Sequence, residues 1–76
     1  MDERTFGGWL VDWRRKSGLS LEAVARICGT HRWTVGRWER GAAPHVSSAL
    51  ELLSALPAAE RDLVTELLKG VRQEVS

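Results

Sequence analysis

The sequence predicts an all-α fold, a compact domain of five helices spanning residues 1–76. Apolar residues recur at intervals of three and four from Phe6 onward, and no run alternates as a strand would. The breaks between these runs carry Gly18, Gly29, Gly41 and Pro57, residues that end helices. The length agrees, because a chain of this size buries only about 60% of the surface it exposes when unfolded. A small binding module is the expectation, and a multi-step catalytic cleft is not.

Phe6, Leu10 and Trp13 fall at i, i+4 and i+7, one helical stripe that Gly18 stops. Ser20 is a good N-cap for a second helix, Leu21 to Cys28, in which Leu21, Val24, Ala25 and Cys28 share a face. Gly29 supplies the left-handed conformation that a tight turn between helices needs. A third helix is expected from His31 to Arg40, stopping at Gly41. After the AAP break, Val46, Ala49, Leu50, Leu53 and Leu56 define a fourth, ended by Pro57, which pushes its preceding residue out of the helical region. The fifth is expected over about 58–69, with helical phase continuing to Val75.

On a wheel of about 100° per residue, the third helix has two different faces. Val35 and Trp38 point one way; Trp33, Gly36, Arg37 and Arg40 follow the spacing of the opposite side. Trp38 therefore belongs to the core. Trp33 is outward beside arginines, where a solvated helix prefers a polar residue, and such a surface suits phosphates, base edges and thymine methyls. Gly36 costs the helix about 1 kcal/mol relative to alanine. Close approach of a ligand to the backbone is one reason for it, and a neutral accident is the other.

Net charge is +1, but residues 1–40 carry eight basic against five acidic side chains, whereas residues 41–76 carry three against five. One end can face a polyanion while the other meets something else, a second copy included; ordinary solvated faces would also give this pattern. Nine of the eleven basic residues are arginine, which favours forked contacts with phosphate or guanine, although a GC-rich genome has the same effect. Cys28 is the one cysteine, so an internal disulfide is excluded, and its apolar neighbours make it a buried small residue rather than a reactive thiol. His31 and His45 are too few and too scattered for a zinc site. No cofactor is expected. The N-terminus lacks the apolar run of a signal peptide or membrane span, and the expected location is a reducing cytoplasm.

Leu10 and Arg14, GLSLEAVA at 18–25, Gly29, RWTVGRWERG at 32–41, Pro44, and Leu50, Leu53 and Leu56 together resemble the Cro-repressor-like helix-turn-helix family, also called the XRE family. The combination is far more specific than any one piece. The resemblance implies the lambda-repressor-like all-α fold, with the helix-turn-helix at about 20–40 and a recognition helix entering the major groove N-terminus first. It matches the base-reading positions to His31, Arg32, Trp33, Thr34 and Arg37, with Arg32 and Arg37 each able to fork onto guanine O6 and N7. Trp33 packs on a thymine methyl or sugar in this reading; a structural role against the turn or second helix is the alternative. Ser20, Leu21 and Arg40 match phosphate-positioning sites. Arg14 and Glu39 match a structural ion pair that locks the first helix to the third, so losing Arg14 is expected to cost fold stability before specificity.

The chain also departs from the family. Leu21 stands where many relatives carry a phosphate-touching glutamine, and His31 where serine or threonine usually caps the recognition helix, leaving Thr30 as an alternative cap. Ala42 and Ala43 replace the lysines of some relatives. Arg15, Lys16 and Arg26 are candidates to supply the missing positive charge.

In the fifth helix Leu63 and Leu67 make one apolar pair, with Val64, Leu68, Val71 and Val75 beside it. If the first pair seals the core, the second stripe is a dimer interface, placing two recognition helices about 34 Å apart on a pseudo-palindromic operator; a single broad core face is the alternative. The expected function is therefore a sequence-specific double-stranded DNA-binding regulator, a homodimeric repressor acting by operator occupancy. A rival is an antitoxin-type interaction module with a protein partner and autoregulatory DNA binding. An enzyme is not expected, since no carboxylate pair, nucleophile–base set or phosphate-binding glycine loop is visible.

Overall fold

A computed structural model describes residues 5–70. Five helices follow one another: α1 (Phe6–Lys16), α2 (Leu21–Cys28), α3 (Arg32–Glu39), α4 (Val46–Ser54) and α5 (Ala58–Gly70). No strand occurs among the described residues. Each helix contributes one fully buried aliphatic side chain, namely Leu10, Val24, Val35, Leu52 and Val64, and Phe6 completes the centre. Around this core α2 packs on α3 and α4, α1 packs on α3, and α5 closes the bottom against α1 and α4.

Local chemistry explains the boundaries. Thr5 caps α1 by accepting from the Gly8 N–H at 3.0 Å, and Ser20 caps α2 by accepting from the Ala23 N–H at the same distance. At the far end of α1, Gly18 turns left-handed at φ +69°, which lets the Leu19 N–H reach the Arg14 carbonyl at 3.0 Å. Gly29 repeats the device after α2, and the Thr30 N–H closes onto Ala25 at 2.9 Å. His31 is the N-cap of α3, with no side-chain capping bond, and Thr30 does not take its place.

The structure corrects three expectations about which faces are buried. In α1, Trp9 is buried with Phe6 and Leu10, while Trp13 is only half-buried. Phe6, Trp9 and Trp13 stack in succession, with centroids 6.1 and 5.4 Å apart, and the Trp9 indole N–H donates to Glu60 at 3.1 Å, tying α1 to α5. In α4 the buried face is Ser48 and Leu52, followed by Leu56 beyond the helix end; Val46 and Leu50 are 68% and 59% exposed. The expected stripe was rotated, because the run from 46 to 56 has enough leucines to satisfy two phases. In α5, Val64 is a core residue and not part of a dimer interface, Leu67 and Leu68 lean on the same core, and Leu63 is 40% exposed. Val71 and Val75, the rest of the expected interface, lie outside the described residues.

Candidate nucleic-acid interface

After the left-handed turn at Gly29 the N-terminal end of α3 is exposed. Val35 and Trp38 are buried beneath it, whereas His31, Arg32, Trp33, Arg37 and Arg40 are exposed and Thr34 is half-buried. All five base-reading candidates therefore sit at the open end and outer side of one helix. Trp33 is 62% exposed, and its closest ring neighbour is the His31 imidazole, 5.6 Å away and tilted by 53°. The helix begins by accepting at the His31 carbonyl from the N–H groups of Thr34 and Val35, so among the described residues the first-turn N–H groups of Arg32 and Trp33 remain unclaimed at the positive end of the helix dipole.

Gly36 is buried although the wheel places it outward. A Cβ built there would meet only Nη1 of Arg40, at 3.5 Å, so the Arg40 side chain is what covers it. The tight backbone crossing lies elsewhere, at Gly7, where a Cβ would come within 2.8 Å of the Trp38 carbonyl oxygen and 2.9 Å of that of Glu39. Only glycine lets α1 lie this close to the end of α3.

Arg14 and Glu39 hold the same junction. Nε of Arg14 donates to one carboxylate oxygen at 2.7 Å and Nη2 to the other at 3.3 Å, while Nη1 donates to the Leu19 carbonyl at 3.2 Å. Their side chains are 17% and 12% exposed, and the forked carboxylate contact raises the Arg14 pKa. The pair fixes the angle of α3 and removes two charges from the surface. Ser20 is exposed; its oxygen is engaged in capping and its hydroxyl proton is free to donate. Leu21 packs its side chain on the core, leaving its backbone N–H, at the start of α2, as the group suited to a phosphate.

The profile of a helix-turn-helix family matches residues 10–63, from the middle of α1 into α5. The chain belongs to this Cro/XRE-like helix-turn-helix family. It is a family of DNA-binding transcription regulators with the lambda-repressor-like all-α fold. Comparison with curated proteins and with solved structures found no match. No helix among the described residues is long and apolar enough to cross a membrane, and no cluster of three or more metal-ligating side chains occurs among them.

Two further features of this helix-turn-helix chain escaped sequence reasoning. A groove of about 290 Å³ runs beside α3 between Thr34, Arg37, His45 and Ser48. Ser48 is nine-tenths buried and lines this groove, and α4 starts at His45 without a side-chain cap. Hydroxyls, cationic arginine and free N–H groups thus converge beside the recognition helix. The signal in the sequence was the Pro44, His45 pair after the break, which offered nothing but a helix start. The other feature is an ion pair between Arg32 and Glu22, 3.5 Å apart across the turn.

Proposed function

We propose that this helix-turn-helix chain reads a specific double-stranded DNA site with α3 and represses by occupying an operator. The observation that carries the reading is the division of α3: Val35 and Trp38 are spent on the core, while His31, Arg32, Trp33, Thr34 and Arg37 leave one continuous surface of donors and an aromatic ring at an uncapped helix N-terminus. Arg32 and Arg37 supply forks for guanine, and Trp33 supplies an apolar plate for a thymine methyl or a sugar. Ser20, the Leu21 N–H and Arg40 flank this surface and are assigned to phosphates, with His45 and the start of α4 added on the far side of Arg37. Arg15 and Arg26 are exposed and are assigned to the outer field that attracts the duplex, while Lys16, also exposed, pairs with Asp12 at 3.1 Å.

The operator is proposed to be pseudo-palindromic and the bound species a homodimer, since paired half-sites multiply the discrimination one small helix can give. Apolar residues exposed on the helices after the recognition helix, Val46, Leu50 and Leu63, support a protein contact on that side. The same residues suit the partner of an antitoxin-type module, which a toxin gene beside this one would favour.

Selection of bound sequences from random duplex DNA, followed by binding across a salt series, tests the reading. A single enriched site is expected. Affinity should fall with salt at a slope of about −0.9 per phosphate contact. No enriched site together with a flat salt response would remove DNA recognition as the function.

A further inference from the structure

One acidic side chain stands inside the surface assigned to DNA. Glu22, in the first turn of α2, is exposed, and its Oε2 accepts from Nη1 of Arg32, the first residue of α3, at 3.5 Å. These two side chains separate two shallow depressions, one also lined by Ser20, Leu21 and Trp33, the other by Arg26, Thr30 and His31. Among the described residues Glu22 is the sole carboxylate lining either depression. A carboxylate here opposes every phosphate that approaches, so it lowers affinity for DNA in general. Stabilising the α2 dipole is served by a glutamate anywhere in that turn and does not require it to reach Arg32 across the helix-turn-helix.

We propose that Glu22 is a specificity-determining positioning residue, which holds Arg32 for a guanine edge and keeps it from the phosphates. The proposal rests on the reading of α3 as the base-reading helix. Glu22 engages Nη1 alone. Among the described residues Nε and Nη2 of Arg32 have no partner, and these are the two nitrogens that Arg14 presents as a fork to both oxygens of Glu39. The same fork matches O6 and N7 of guanine. An arginine tied at its third nitrogen has fewer rotamers to lose on docking. On a non-specific duplex, by contrast, a phosphate must compete with Glu22 for the guanidinium, so the wrong complexes lose a contact that the right one does not use. Being exposed, the ion pair is weak by itself, and its effect is read in a ratio of affinities rather than in fold stability.

The test uses the full chain, a duplex chosen by selection and a random duplex, with wild type, Glu22→Gln, Arg32→Ala and the double variant. Arg32→Ala should relax preference at one base pair per half-site. Glu22→Gln should relax that same base pair, raise random-duplex affinity about three- to ten-fold with a smaller gain on the selected duplex, and steepen the random-duplex salt slope by about 0.9, as one freed arginine reaches a phosphate. With Arg32 already alanine, Glu22→Gln should shift both duplexes equally. The proposal is overturned alone if Glu22→Gln raises both duplexes by one factor and leaves base preference intact while Arg32→Ala relaxes a position. If no site is selected, or Arg32→Ala relaxes none, the reading of Arg32 falls and this proposal with it.

Discussion

Arg37 and Arg40 lie three residues apart on α3, both exposed, yet their surroundings differ. Arg37 lines the groove with Thr34 and Ser48, whereas Arg40 folds back over Gly36 at the end of the helix. Arg37→Ala is therefore expected to relax preference at one base pair per half-site, at a cost of about 1–3 kcal/mol on the right sequence. Arg40→Ala should weaken all sequences alike and reduce the salt slope by about 0.9. Equal losses from both, measured on selected and random duplexes, would show the two roles to be wrongly assigned. Cys28 offers a residue-scale test of the fold instead of the site. Burial, reinforced by the nearby Glu51 charge, pushes its thiol pKa from 9.0 up to about 11. In that window the unfolded chain has released the proton while the folded chain keeps it, so the unfolded state binds fewer protons and stability falls as pH rises. Urea unfolding should lose about 2–3 kcal/mol between pH 9 and pH 11, and Cys28→Ala should flatten the slope. A wild-type slope retained in the alanine variant would place its source elsewhere.

Among the elements, the crossing of α1 with α3 and the interior of α3 make opposite demands on glycine. Gly7→Ala drives a methyl into the Trp38 and Glu39 carbonyls, which are backbone and cannot step aside, so about 1–3 kcal/mol of stability should be lost despite alanine's better helix propensity. Gly36→Ala meets only the far end of Arg40 and should gain about 1 kcal/mol. Both values are read from urea midpoints. If Gly36→Ala stabilises the fold and weakens operator binding, the glycine serves approach to DNA; unchanged binding makes it neutral there. The contrast also marks what the sequence could disclose. Ser20, Gly29 and Gly41 announced the helix-turn-helix because caps and left-handed turns are local chemistry, and α2 was legible to the residue. Gly7 beside Gly8 carried no such signal, since its reason lies 31 positions away in the carbonyl of Trp38. The phase of α4 was illegible for a related reason: Leu50, Leu52, Leu53 and Leu56 fit two stripes, and only the position of α2 and α5 decides for Leu52. In the interface, helical period placed Trp33, Arg37 and Arg40 outward and misplaced Gly36, which is buried, whereas His31, Arg32 and Thr34 were named only through the family resemblance. His45, Ser48 and the link from Glu22 to Arg32 required the three-dimensional path of the loop and turn.

At the scale of the whole molecule, size and symmetry constrain how a site is read. The fold measures 34 × 25 × 25 Å, so two copies side by side can set their recognition helices about 34 Å apart, one turn of the duplex. With Val64 committed to the core, a contact between copies has to be made from side chains the fold leaves outside, and on α5 the described candidate is Leu63. The chain of 8.5 kDa is expected to sediment at twice that mass at micromolar concentration. Leu63→Glu, at an exposed position, should change fold stability by no more than about 0.5 kcal/mol. If α5 forms the contact, the variant should sediment as one chain and lose about 10²-fold in operator affinity, because each half-site is then bound alone. Leu50→Glu on α4 tests the competing face by the same two measurements. A loss of mass and affinity confined to Leu50→Glu would move the contact to α4, and a wild-type mass of one chain both with and without DNA would remove the dimer. In that last case the operator is a single half-site, and discrimination falls to Arg32, Arg37 and Trp33 on one helix.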